Sequence, residues 1–240
     1  MKLGLISDVH ANVLALEAAL GELKRRGAET VVCLGDLVGY GPSPNETLEL
    51  LRQEKVICTL GAADEQVAFE FARNRRPRAG VADEILEWTR SVIEPEHVAF
   101  LRTLPVHVRL NTPLGRLRAC HGTLDACSMI DVTQDEAGLG RVLAEQRCRV
   151  LAVGNSHVPF YRTLASGWIV NPGSVGLSLN GEPGADYALL KFSKTGLEVE
   201  MDKVEYDFAA VAFDIVAWGL PQMVAEAVQK GRMPAPGKVR

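Results

Sequence analysis

Short apolar runs alternate with segments of helical period along the first third of the chain. Lys2 to Ile6 reads as a buried strand, and about Asn12 to Arg26 as an amphipathic helix with Val13, Leu16, Leu20 and Leu23 on one face. Lys24, Arg25 and Arg26 fall in its last turn, where cations complement the helix dipole, and Gly27 supplies the stop. Thr30 to Leu34 predicts a second strand, Pro44 to Gln53 a second helix, and Val56 to Leu60 a third strand. This β-α-β-α-β alternation implies a parallel sheet with right-handed crossovers.

The rhythm breaks from Asp64 to Pro105, which reads as helical throughout: EQVAFEFAR, VADEILEWTRSVI and PEHVAFLRTL, the last opened by Pro95. The basic run RNRRPR, residues 73 to 78, falls in the loop between the first two. A solvated loop is the plainer account of it, and contact with an anionic ligand is the alternative. Strands resume at Val106 to Leu110 and Arg116 to Cys120, and a helix from about Gln134 to Gln146 leads to a strand at Arg149 to Val153. The spacing of Phe160–Leu164, Trp168–Val170, Tyr187–Phe192 and Leu197–Val204 suggests a second, mixed sheet. Two terminal helices are expected, broken at Gly219-Leu220-Pro221, with RMPAPGKVR hanging free.

Composition narrows the class. The chain has 240 residues, 47% hydrophobic and 23% charged, an ordinary globular mixture. Its net charge of −4 argues against broad non-specific binding to nucleic acid. No apolar run is long enough to span a bilayer, and no signal peptide precedes the first strand, so membrane partners are not expected. The cysteines, Cys33, Cys58, Cys120, Cys127 and Cys148, form no C-x-x-C pair, and four lie in or beside strands. They read as small core residues in a reducing, cytoplasmic setting.

Polar residues gather where strands end. Asp8 and His10 follow the first strand, Asp36 the second, Asp64 the third, His121 the strand ending at Cys120, and His157 the strand ending at Val153. Ligands of open α/β sheets bind outside the carboxyl ends of the strands. Each residue alone has a plain structural account, such as an aspartate N-cap or a loop histidine bonded to backbone. Two carboxylates and three imidazoles on one edge, however, make a mixed oxygen–nitrogen site suited to manganese, iron or zinc.

On SDVHAN (7–12), GDLVGYGP (35–42), CHG (120–122), GNSHVPF (154–160) and NPGSVG (171–176), the chain resembles the calcineurin-like metallophosphoesterases. More narrowly, it looks like their small bacterial branch of diadenosine-tetraphosphatase-like and YfcE-like enzymes. The resemblance covers nearly the whole chain, in order. It implies a four-layer α/β/β/α sandwich with two metals at the strand ends and a helical cap inserted at about 64–105. The phosphoesterase domain would then span 1–204, and residues 205–240 would pack on it as C-terminal helices and tail. Asp8, His10 and His157 would hold the first metal, Asp36 would bridge both, and His121 would serve the second. Asp64 would stand behind the ligands, and the NPGSVG loop would shape a turn beside them.

Three departures from the family pattern matter. Gly61-Ala62-Ala63-Asp64 stands where the family has G-N-H-D/E, and Gly154-Asn155-Ser156-His157 where it has G-H-x-H. On the resemblance, Ala62 replaces an asparagine ligand of the second metal, and Asn155 replaces a histidine ligand, offering an amide oxygen as a harder and weaker ligand in its place. Ala63 replaces the histidine that stabilises phosphoryl oxygens or protonates the leaving group. The first ligand set is complete and the second is not. Two readings follow. One is a slow metal-dependent phosphoesterase acting on a phosphodiester or nucleotide through metal-activated water. The other is a silent relative that binds metal and phosphate or nucleotide. A dinucleotide-binding fold is excluded, since no G-x-G-x-x-G follows the first strand.

Overall fold

A computed structural model of the chain describes residues 1–69, 80–122, 129–130 and 133–234. The parallel core forms as expected: β1 (Lys2–Ile6) pairs with β2 (Thr30–Cys33), which pairs with β3 (Ile57–Cys58). The crossovers are α1 (Val13–Arg25) and α2 (Pro44–Gln53). Asn12 starts α1 by accepting from the Ala15 N–H at 3.1 Å, satisfying one of the orphan donors of the first turn.

Alternation along β1 separates two of the layers. Leu3 and Leu5 point into the space between the sheets, whereas Ile6 joins Leu16, Leu20 and Leu23 beneath α1. Gly4 permits that approach, because a methyl group there would lie 2.9 Å from a Leu23 methyl. The second sheet has the order β4-β5-β6-β8-β7. Its strands are β4 (His107–Thr112), β5 (Gly115–Cys120), β6 (Val150–Ala152), β7 (Phe160–Leu164) and β8 (Gly167–Asn171). One face, with Leu117, Ala119, Val150 and Val170, meets the first sheet. The other, with Leu151 and Ile169, meets Leu139 and Leu143 of the helix Glu136–Gln146. The result is the expected α/β/β/α layering.

The grouping of the last four strands is corrected. Only β7 and β8 join the second sheet. β9 (Ala185–Phe192) adds antiparallel to the free edge of β1, and β10 (Leu197–Val204) pairs with β9, giving the order β10-β9-β1-β2-β3. The physical reason is burial: seven of the eight residues of β9 are buried, which requires neighbours on both faces and a position inside a sheet.

The stretch expected to be helical throughout forms, in its described parts, α3 (Ala62–Ala68), α4 (Val81–Val92) and α5 (Pro95–Thr103). RNRRPR lies outside the described residues, as does Cys127. With the Glu136–Gln146 helix as α6, the terminal helices are α7 (Phe208–Ala217) and α8 (Gln222–Lys230), separated at Gly219–Pro221. Val211, Ile215, Val224 and Val228 pack with Ile85 of α4 and Leu177. Among the described residues no helix is long and apolar enough to cross a membrane.

Candidate metal centre

The loops leaving β1 and β2 run side by side. Asp8, His10 and Ala11 donate backbone N–H bonds to the carbonyls of Gly35, Asp36 and Leu37 at 3.0, 3.0 and 2.9 Å. This zipper brings the first three candidates together. Among the described residues nine non-glycine positions have positive φ, and Asp8, His10, Asp36, Asn155 and His157 are five of them. Each such conformation costs about 1–3 kcal/mol. Strain is thus concentrated on five of the six sequence-predicted site residues, with His121 the exception.

All three imidazoles are held the same way. Nδ1 of His10 lies 3.4 Å from the Val38 carbonyl, Nδ1 of His121 lies 3.0 Å from that of Leu34, and Nδ1 of His157 lies 2.7 Å from that of Leu177. A carbonyl only accepts, so each Nδ1 carries a proton, and each ring when neutral presents a lone pair at Nε2. Those lone pairs converge. His10 Nε2 and His157 Nε2 stand 3.1 Å apart, an arrangement that repels unless a cation lies beside it. Around Asp8 Oδ1, His157 Nε2 lies at 3.5 Å, and His10 Nε2 and His121 Nε2 at 4.0 Å. Asp36 Oδ2 is 3.4 Å from His121 Nε2 and 3.9 Å from His10 Nε2.

Two atoms at this focus, Asp8 Oδ1 and His121 Nε2, are buried and have no hydrogen-bond partner. Burying such groups unpaired costs about 1–3 kcal/mol each, and more when charged. A divalent cation removes that penalty. The ligand atoms fall into two overlapping groups, Asp8–His10–His157 and Asp8–Asp36–His121, each within 4.8 Å. The residues present therefore fit a metal, and Asp8 belongs to both groups.

The electrostatics agree. Burial and the neighbouring His157 pull the His10 pKa down to about 4. Burial would also depress His121, but Asp36 and Asp8 push it up to about 10. For Asp36, burial is outweighed by His121 and His10, which hold its carboxyl well below the usual range. The carboxylates thus favour one positive charge at the focus: a proton on His121 Nε2 in the metal-free chain, which a bound metal would replace.

Surrounding residues set the geometry. Asp36 Oδ1 accepts the Ala63 N–H at 2.7 Å. Asp64 stands behind the ligands as expected: Oδ1 accepts from Leu37 and Val38 at 2.8 and 3.1 Å, and Oδ2 from Gly61 at 2.9 Å. Burial and Asp36 push its pKa up to about 7 despite these bonds. The NPGSVG loop also has its expected role. Ser174 Oγ donates to the Asp8 carbonyl at 2.8 Å, and Asn171 Nδ2 donates to the Gly154 carbonyl at 2.9 Å.

Asn155 donates its backbone N–H to Asp8 Oδ2 at 3.1 Å and lines a crevice of about 370 Å³ together with His10, Asp36, Ala62, Ala63 and His157. Residues that pattern reading missed complete the walls. Tyr40 lies edge-on to His10 with ring centroids 4.8 Å apart, and Leu86, Leu177 and Leu179 make an apolar side. Tyr40 stands inside the GYGP motif, but nothing in the sequence signals its left-handed backbone.

Gly61 marks the tightest approach. A methyl group there would lie 2.0 Å from Asp36 N and 2.2 Å from Asp36 Oδ1. Gly61→Ala is expected to displace Asp36, destabilise the fold by about 1–3 kcal/mol and reduce bound metal. Thermal melting with elemental analysis checks this; an unchanged melting point and metal content would show that Asp36 has room to spare.

Comparison with known proteins adds four findings. The calcineurin-like phosphoesterase superfamily domain matches residues 1–195. An uncharacterized protein of Methanocaldococcus jannaschii, MJ0912, is 31% identical over 250 residues, covering 96% of this chain and 98% of that protein. The phosphodiesterase YfcE of Escherichia coli K12 is 25% identical over 207 residues, covering 79% of this chain and 87% of that protein. Among solved structures, a metallophosphoesterase from Sphaerobacter thermophilus superposes with a TM-score of 0.78 at 28% identity, covering 96% of this chain and 99% of that one.

Proposed function

The chain belongs to the calcineurin-like phosphoesterase superfamily, and from that premise we propose that it hydrolyses a phosphodiester or nucleotide, slowly, at a metal held by Asp8, His10, Asp36 and His157. The observation that carries this reading is the convergence of three tethered imidazole lone pairs on a buried, unpartnered Asp8 oxygen. Mixed nitrogen and oxygen donors suit manganese, iron or zinc. A divalent ion there supplies Lewis-acid polarisation of a phosphoryl oxygen and lowers the pKa of a bound water.

The chain's own groups orient and exclude. Nδ1 tethers fix the imidazole planes, the Ala63 N–H holds Asp36, and the apolar side of the crevice keeps bulk water from an ester seated against Leu86 and Leu177. A crevice of about 370 Å³ suits a small phosphate ester or nucleotide. The free thiols Cys33, Cys58, Cys120 and Cys148 accord with a cytoplasmic setting.

One observation favours the binding-protein alternative. Ala62 and Ala63 present methyl groups to the crevice, and no lysine or arginine lines it among the described residues. General acid help, typically about 10²–10⁴ in rate, is therefore not supplied by those positions. The test is turnover of an aryl phosphodiester with added manganese, wild type against Asp36→Asn. Hydrolysis that falls by about 10²-fold or more in the variant supports the enzyme. A wild type that binds the ion but turns over no faster than Asp36→Asn is a binding protein.

A further inference from the structure

Across a groove from α2, the first turn of α5 carries Glu94-Pro95-Glu96-His97. Asn45 of α2 pins this turn in place. Its Oδ1 accepts the Glu94 N–H at 2.9 Å, and its Nδ2 donates to the Val92 carbonyl at 3.0 Å. The two carboxylates and the imidazole offer ligand atoms that all lie within 4.8 Å of one another. They face a groove of about 540 Å³ whose opposite wall contains Glu46 and Glu49 of α2.

Glutamates in a first turn have an ordinary explanation, because negative charge complements the N-terminal end of a helix. That account does not cover His97. It is only 4% exposed, and its Nδ1 is enclosed without a hydrogen-bond partner. Its Nε2 turns toward Glu96 Oε1 at 3.9 Å, too long for a hydrogen bond and well placed for a shared ion. Among the described residues lining the groove, the one cation, Arg52, reaches Glu96 Oε1 only at 4.0 Å and lies over the Phe100 ring at 5.6 Å. An exposed contact of that length contributes little. Among the described residues lining this groove, four carboxylates therefore share one guanidinium.

We propose that Glu94, Glu96 and His97 form a binding site for a divalent transition metal of the zinc class, separate from the centre at the strand ends. One imidazole and two carboxylates are a ligand set that zinc accepts, with water completing the tetrahedron. Glu46 and Glu49 add negative field from the facing helix. Since α2 flanks the first sheet and α5 belongs to the helical insertion, an ion held by α5 is attracted across the groove to Glu46 and Glu49 of α2. The site is independent of whether the chain is an enzyme.

The experiment is zinc titration of the full chain by calorimetry, with elemental analysis at saturation, for wild type and Glu94→Gln/Glu96→Gln. Both glutamates are exposed, so the double variant keeps its fold. It is expected to bind one zinc fewer per chain and to lose a zinc-induced rise of a few degrees in melting temperature, while its tight centre stays filled. Asp8→Asn, which disables the centre, is expected to retain one zinc that Glu94→Gln/Glu96→Gln then removes. Equal zinc stoichiometry in wild type and the double variant overturns the proposal, as does an unchanged zinc-induced melting shift.

Discussion

Asp8→Asn is expected to empty the centre of metal while leaving the fold in place. Asp8 is the residue common to both ligand groups, and its Oδ1 is the buried oxygen that no hydrogen bond satisfies. The other oxygen accepts the Asn155 N–H at 3.1 Å, a bond that an amide oxygen keeps. Asparagine also tolerates the left-handed backbone at this position, where φ is 51°. The substitution therefore removes charge and little else. With its oxygen on that bond, the asparagine turns its NH2 group to the ligand position among the three imidazoles, where it donates rather than ligates and brings no negative charge to hold the ion. Metal affinity should fall by more than the roughly 10–100-fold typical of changes behind a ligand, and metal-dependent hydrolysis by about 10²–10³-fold or more. Manganese should raise the melting temperature of the wild type and not of the variant, because an ion that binds only the folded state stabilises it by mass action. Elemental analysis, melting with and without manganese, and turnover on the same preparations check this. Retention of the ion and of turnover would remove Asp8 from the ligand set.

Much of this centre was legible because its residues sit at strand exits. Buried runs such as Lys2–Ile6 and Thr30–Cys33 announce themselves, and the residues that follow them must lie on one edge of a parallel sheet. Asp8, His10 and Asp36 were placed by that logic alone. The tethers were not legible, because the Nδ1 partners are backbone carbonyls of Val38, Leu34 and Leu177, remote in sequence and carried by every residue type. Nor does composition disclose that five of the site residues have left-handed backbones. The assignment of β9 and β10 failed for a related reason. Strand spacing says where strands occur, whereas β9 lies beside β1 through a pairing of residues more than half the chain apart, such as Leu3 with Leu190. His97 carries no signal in the sequence, because Pro95 marks its segment as a helix start and burial of the imidazole exists only in three dimensions.

Ala62→Asn/Ala63→His/Asn155→His is expected to raise both metal content and phosphodiester turnover. All three positions line the same crevice, so new ligands there reach the focus already built by Asp36 and His121. Asp64 is not acting as a substitute ligand in the wild type: both of its oxygens accept backbone N–H bonds from Gly61, Leu37 and Val38. The second ion should therefore be weak before the change and tight after it. The cost is uneven. Asn155 has φ of 71°, a conformation in which histidine is also enriched, and Ala62 is only half-buried. Ala63 is 8% exposed and packs in the cluster of Leu37, Val38 and Leu86. A histidine there must push those neighbours aside, at about 1–3 kcal/mol. The double variant Ala62→Asn/Asn155→His avoids that strain and separates metal binding from acid catalysis. It should gain the ion with a modest rate, and the triple variant should add the contribution of the histidine, about 10²-fold or more. Manganese content and turnover measured on the same samples decide the matter. A second ion bound without any gain in hydrolysis by either variant would mean that the crevice has been remodelled for binding, and the enzyme reading would be given up.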